Sequence, residues 1–445
     1  MKSHYFKHLA PIKKAIWFYI FLLIFEGALR KWVLPGMSNI LLLAREPVAI
    51  YILALAFKKS WFNGNMYILI MTLISFLAFF TALVFGHANM QVAIYGLRIT
   101  LLHFPLIFVI GKAFDTSDVL QLGKMLLWIA LPMMLLNAMQ FYTPQSSWFN
   151  RGIGGDIEGT GFEGANGFFR PPGTFSFTNG NVFFWSVVGV YILYFWLNRK
   201  LINKKVLYIA SFALFGAVSF AISRTLVFQL VLSVAFAFIA LARKPRYLKS
   251  AVIAFVAFVL VFVVLSQIGI FSTGIEAFTT RFDAATETEG GGSVSKGIVD
   301  RMILGGMVSA LTEGVDLPFF GHGLGMGTNA GAKILTGETT FLISEGEWGR
   351  LIGECGLLLG LGMILIRTIL TLNLVRNAYL AVQRSNILPW LLMSVAAVNI
   401  LQGQWAQPTS LGFTVLLGGL VMAAMKQNRK MPIKNRAIAS TTPHN

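Results

Sequence analysis

Arg30, Arg45, Arg98 and Arg224 fall within, or at the end of, stretches that otherwise read as helix buried in hydrocarbon. A charge at the bilayer centre costs about 3 kcal/mol on insertion scales, so such a residue faces a partner or a wet cavity. Arginine stays ionised and offers a planar fork that suits phosphate oxygens. Four of them on one side of the membrane, with Lys31 beside them, form a plausible seat for an anion. Structural pairing competes with that reading. Glu26 and Arg30 stand at i,i+4, and Glu46 could neutralise Arg45 or Arg98 across helices.

A second group of chemical residues lies at 344–357. Glu347, Arg350 and Glu354 are spaced i, i+3, i+7 and share one helix face. Glu345 and Glu347 fall just before or at the start of that helix. A carboxylate in a partly dry site near the membrane surface could deprotonate a hydroxyl as a general base. The competing reading is a helix N-terminus with favourable acids and a local salt bridge.

The elements that position these groups follow from composition. The 445 residues are 56% hydrophobic and only 12% charged, about half the charge of a soluble chain. Crossing about 30 Å of hydrocarbon takes roughly 20 apolar residues. About twelve stretches qualify: 15–34, 38–57, 66–86, 91–112, 119–141, 181–198, 206–223, 225–242, 250–271, 349–372, 387–403 and 408–425. The seventh and eighth are nearly continuous and require a tight turn at Ser223, Arg224 and Thr225. The first is too long, and lacks the small-residue cleavage site, to be a signal peptide.

The chain therefore reads as an all-α polytopic integral membrane protein. Residues 1–271 hold nine helices and a Gly- and aromatic-rich loop at 142–180. A large loop spans 272–348, helices ten to twelve span 349–425, and a basic tail takes 426–445. Within the large loop, Val299 to Leu311 has helical spacing, and the Gly-rich run 318–327 could offer backbone N–H groups to an anion.

The net charge of +18 is an orientation signal, not a nucleic-acid one. Lys13 and Lys14, Lys58 and Lys59, Lys112, Arg199 to Lys205, Arg243 to Lys249, Arg376 and Arg384, and the tail all fall on one side if both termini are cytoplasmic. That puts the four arginines and both long loops on the opposite face. The single cysteine, Cys355, excludes an internal disulfide and a Cys-rich metal site. No metal-ligand cluster stands on the opposite face.

Several short motifs, in order, resemble the O-antigen ligase and O-antigen polymerase superfamily of bacterial envelope glycosyltransferases. They are Glu26 to Trp32, Arg45 to Val48, Arg170 to Asn179, Ser223 to Thr225, Arg301 followed by Pro318 to Gly325, and Glu354 to Leu357. Together they cover most of 20–425. The resemblance implies a GT-C-like fold in the bacterial inner membrane. Donor and acceptor would be oligosaccharides on undecaprenyl diphosphate, with no cofactor and no metal, and a chain-length regulator as a further partner. Arg45, Arg98 and Arg224, with Arg30, would hold the diphosphate. Glu345 or Glu347 would be the base, and Arg170, Arg301 and Arg350 secondary binding groups.

Ligase-type members carry His-Asn where this chain has Glu345 and Gly346. The departure favours a polymerase over a ligase, and leaves His322 as an alternative base. A lipid-oligosaccharide flippase is the alternative from another class. Transporters usually place their polar groups near the midplane of two related halves, which this chain does not.

Overall fold

A computed structural model describes residues 2–242, 267–290, 317–338 and 340–426. The elements, in order, are α1 (Lys2–Ala28), α2 (Arg45–Lys58), α3 (Met66–Val84), α4 (Met90–Ala113) and α5 (Thr116–Tyr142), then a hairpin of β1 (Glu163–Ala165) and β2 (Phe168–Phe169). There follow α6 (Thr178–Leu197), α7 (Lys204–Ala221), α8 (Arg224–Ala242), α9 (Gly269–Gly290), α10 (Asn329–Thr336), α11 (Glu347–Gln383), α12 (Leu388–Gln402) and α13 (Pro408–Ala424).

Among the described residues eight helices are long and apolar enough to cross a membrane: α2 with the turn before it from Pro35, α3 to α8, and α11. α12 and α13 are apolar but shorter. This is the build of an all-α polytopic membrane protein, with one two-stranded hairpin that the composition did not announce. Most of the expected ninth span, Arg301, the expected helix at 299–311 and the tail past 426 lie outside the described residues.

Local sequence sets the helix ends. Asn65, Asn89 and Asn203 cap α3, α4 and α7 through their side chains. Asp115 and Asp118 form a reciprocal capping box at α5, clasped by Lys13 of α1 at 3.0 Å and 2.5 Å. α7 turns into α8 through Ile222 in the left-handed region at φ 42°, so the tight turn falls at 222–223.

Three boundaries differ from the expectation. The first two spans are broken between α1 and α2 by a π segment (Leu29–Val33) and two short helical turns. Helix α9 runs to Gly290, well into the segment expected to be loop. α11 extends to Gln383 and is kinked at Gly356, where φ is 74° and ψ is 170°.

Lipid is as apolar as the side chains, so helices in a bilayer associate by close packing and polar contacts rather than by exclusion of water. The core follows that rule. α13 lies along the second half of α4, with Gly418 and Gly419 against Ile107 and Ile110. α12 packs on both α11 and α13, α5 on α7, and α1 on α2.

Candidate functional site

Two π segments, each a wider turn than the α-helix, sit where the buried charges are. Such bulges recur at functional sites because they re-aim side chains. Leu29–Val33 carries Arg30 and Lys31 inward, and both are buried. Glu26 accepts from Arg45 Nε at 2.9 Å and from Arg30 Nη1 at 3.4 Å. Arg30 also donates to the Ser38 carbonyl at 2.9 Å and the Ser176 hydroxyl at 3.0 Å. Lys31, fully buried, donates to the Gly173 carbonyl at 2.8 Å and lies 4.6 Å from the Trp32 ring.

The second π segment, Ile99–His103, follows Arg98. Glu46 is shared there: Arg98 pairs with one oxygen and His103 Nε2 lies 2.7 Å from the other. His103 Nδ1 is 3.2 Å from the Tyr19 hydroxyl, and Arg45 stands 5.8 Å from the Tyr19 ring. Arg98 stacks at 3.7 Å over Tyr95.

The structure thus joins three of the four arginines into one cluster. Among the described residues, Arg30, Arg45 and Arg98 pair with Glu26 and Glu46 alone, a surplus of positive charge, and Lys31 has no acidic partner. Arg45 Nη1 and Arg98 Nε are buried with no hydrogen-bond partner among the described residues. The fourth, Arg224, stands elsewhere. It opens α8 half-buried, two residues after Ile222, whose side chain meets Gly164 in the hairpin.

The hairpin has its own basic pair. Arg170 Nε donates to the Glu163 carbonyl at 3.1 Å, and Arg281 Nη1 of α9 donates to the same oxygen at 3.0 Å. Burial, and then the neighbouring Arg281, push the Arg170 guanidinium down to about 10.

On α11 the expected shared face is present, and it is saturated. Arg350 donates to both oxygens of Glu347, at 3.0 Å and 2.8 Å, and to Glu354 at 2.6 Å. Arg367 adds a bond to Glu347 at 2.6 Å, and the Trp405 backbone N–H another at 3.1 Å. Arg367 also ties down the carbonyls of Ile400 and Gly403. A carboxylate holding two guanidiniums and an amide is a structural anchor, so Glu347 has the geometry of a tether and not of a free base. Arg350 is spent in the same network. Sequence reasoning passed over Arg367, although the same rule, an arginine inside an apolar span, would have found it.

The Gly-rich run is likewise used internally. His322 N–H donates to the Gly353 carbonyl at 2.8 Å, Gly323 N–H to the Glu354 carbonyl at 2.9 Å, and Gly327 N–H to the Glu354 carboxylate at 2.8 Å. The kink at Gly356 opens those carbonyls to the turn. These N–H groups are therefore taken by α11 rather than offered to an anion. The His322 side chain is exposed, and it is not among the residues lining the cleft described next.

A small cleft opens above α11. Its lining includes Asn329, Phe341, Ser344, Glu345, Gln404 and Gln407, with Glu347 and Arg350 in its floor. Glu345 is exposed, and its backbone carbonyl accepts from Gln404 Nε2 at 2.9 Å. None of the amides was singled out in the sequence, because isolated Asn and Gln in loops carry no pattern.

One segment joins the cleft to the cation cluster. Gly173 receives Lys31 and Ser176 receives Arg30, while Asn179 donates to Gln407 Oε1 at 2.9 Å. Asn179 lies three positions after Ser176, at most about 11 Å of extended chain. Gly27 makes the approach possible, since a Cβ there would stand 2.4 Å from the Phe175 backbone.

No model of a known protein family matches this chain, and no curated protein matches it.

Proposed function

We propose that the chain is a metal-independent glycosyltransferase that lengthens a surface polysaccharide, O-antigen or exopolysaccharide, at the periplasmic face of a bacterial inner membrane. The observation that carries this reading is the junction just described: segment 173–179 connects a buried surplus of cations to a polar cleft holding an exposed carboxylate.

An anionic lipid diphosphate at the cluster would neutralise the surplus, and Arg45 Nη1 and Arg98 Nε are buried donors without a partner among the described residues. The attacking hydroxyl of an acceptor sugar would lie in the cleft, where Glu345 takes its proton. The oxygen then bonds to the donor's anomeric carbon as the bond from that carbon to the phosphate oxygen breaks. The departing diphosphate gains negative charge, which preorganised guanidiniums stabilise. Arg224, Arg170 and Arg281 would meet the glycan or its lipid at the hairpin, apart from the reacting atoms. The motif resemblance favours polymerase over ligase, and the undecaprenyl carrier comes from that resemblance.

The test is complementation of a strain deleted for this gene, with Glu345→Gln. Glu345 is exposed, so its loss should leave folding intact. A general base contributes about 10²-fold or more, so long chains should vanish and single lipid-linked repeats should accumulate on the outer leaflet. Full-length chains from Glu345→Gln would overturn Glu345 as the base, and full-length chains in the deletion strain itself would overturn the polymerase. Repeats stranded on the inner leaflet after deletion would replace it with a flippase, and long chains held on the lipid carrier with a ligase.

A further inference from the structure

Two hydrogen bonds fix what His103 can carry. The Glu46 carboxylate, paired with Arg98, only accepts, so His103 Nε2 at 2.7 Å holds a proton. That leaves Nδ1, 3.2 Å from the Tyr19 hydroxyl. A hydroxyl gives or takes. A neutral imidazole accepts the Tyr19 proton at Nδ1, and a charged one donates to the Tyr19 oxygen once that hydroxyl turns. Both ring contacts survive either state. His103, only 2% exposed, can therefore change charge in place. Histidine is the side chain that ordinarily does so near neutral pH.

The surroundings decide when. α1 brings Tyr19 to His103, α2 brings Glu46 with Arg45 behind it, and Arg98 with Tyr95 beneath it precedes the π segment. α3 and α13 also pack on that segment and carry no Asp, Glu, His, Lys or Arg. Tyr67 of α3 is engaged with Asn373. Three guanidiniums already face two carboxylates in the cluster, so a proton on His103 adds to a positive surplus and is opposed. A phosphate or diphosphate seated there removes the opposition. Anion and proton then favour one another, and by linkage each raises the affinity for the other by the same factor.

We infer that the cluster takes up its oxyanion together with a proton from water, and that His103 Nδ1 receives it. The inference rests on the reading of the cluster as a diphosphate seat and deepens it. It places an added positive charge where a departing diphosphate gains negative charge, and it makes binding tighter as pH falls. Lys31 is the competing group, a buried amine with no acidic partner among the described residues.

Titration calorimetry on the full chain in phosphatidylcholine nanodiscs tests it. The probes are inorganic pyrophosphate and farnesyl diphosphate, each in two buffers of different ionisation enthalpy, so that the heats count protons. The wild type should take up a proton fraction of up to about one per anion near neutral pH. His103→Gln keeps a donor toward Glu46 and an acceptor toward Tyr19 but cannot charge. It should match the wild-type affinity at about pH 8, fall behind by up to about tenfold at about pH 6, and lose the uptake. Each probe's own titration is common to both proteins and cancels in the comparison. Wild-type binding that takes up no proton beyond what the probe's own titration requires would sink the inference, whatever the variant does. Uptake kept in His103→Gln and lost in Lys31→Met would sink it too. Binding of farnesyl diphosphate alone would mark the ligand as a lipid, and binding of both probes as the diphosphate group itself, with the proton accompanying either. The two readings fail separately. Binding of neither probe removes the diphosphate seat, whereas binding without the proton leaves that seat standing.

Discussion

Two carboxylates two positions apart have opposite fates. Glu347 is buried under Arg350 and Arg367, whereas Glu345 is exposed beside Gln404. Removing one partner of a buried pair leaves the others uncompensated, at a cost of about 3–5 kcal/mol. Glu347→Gln should therefore lower stability by that order, read as a clear drop in the thermal midpoint in nanodiscs, while Glu345→Gln should leave the midpoint within the scatter. Equal midpoints for the two would mean that the network is not an anchor. Asp115 supplies a pH window outside the spans. Burial works against its charge, but the Ser117 hydroxyl and Lys13 outweigh it and hold the carboxyl down at about 2. A folded pKa below the usual 3.8 means stability that is present above pH 4 and lost as pH falls from about 4 to about 2. Acid unfolding monitored across that window should flatten in Asp115→Asn, and an unchanged acid limb would rule the Lys13 clasp out as its source.

At the scale of elements, the π segments and Gly27 decide where the charges go. Had α1 continued as a regular helix, Arg30 and Lys31 would sit on a different face, away from Ser176 and Gly173. The 174–176 backbone can reach them only because residue 27 has no side chain: the missing Cβ would lie 2.4 Å from Phe175 carbon and Ser176 nitrogen. That obstacle is backbone, so it cannot rotate away. Gly27→Val should cost about 1–3 kcal/mol by overpacking, read as a drop in thermal midpoint. It should also reduce chain lengthening, because the bridge from cluster to cleft is displaced. A Gly27→Val protein of wild-type stability and activity would show that the bridge is not needed.

For the whole molecule, the sorting of basic residues predicts an orientation, with both termini cytoplasmic, that labelling can check. With Cys355 replaced by Ser, Glu345→Cys and Trp148→Cys should react with a membrane-impermeant maleimide from the periplasmic side, and Lys59→Cys should react only after the membrane is opened. Cys355 itself is buried, so the native thiol should stay silent. Labelling of Lys59→Cys from the same side as Glu345→Cys would overturn the topology, and with it the periplasmic placing of the cleft.

The apolar stretches and the charged residues inside them were legible in the sequence, because length in hydrocarbon and the cost of a buried charge act on each segment alone. The i, i+3, i+7 face of Glu347, Arg350 and Glu354 was legible for the same reason, since helical spacing is local. Partners were not. Whether Glu46 meets Arg45 or Arg98, and whether Glu347 is free or clamped by Arg367 twenty residues on, depends on which helices pack together. Small glycine contacts decide that, and no single segment carries them. The amide cleft and its link through Asn179 to Gln407 lay beyond the sequence altogether. Its residues come from four separate loops and helix ends, and only the tertiary fold brings them to one place.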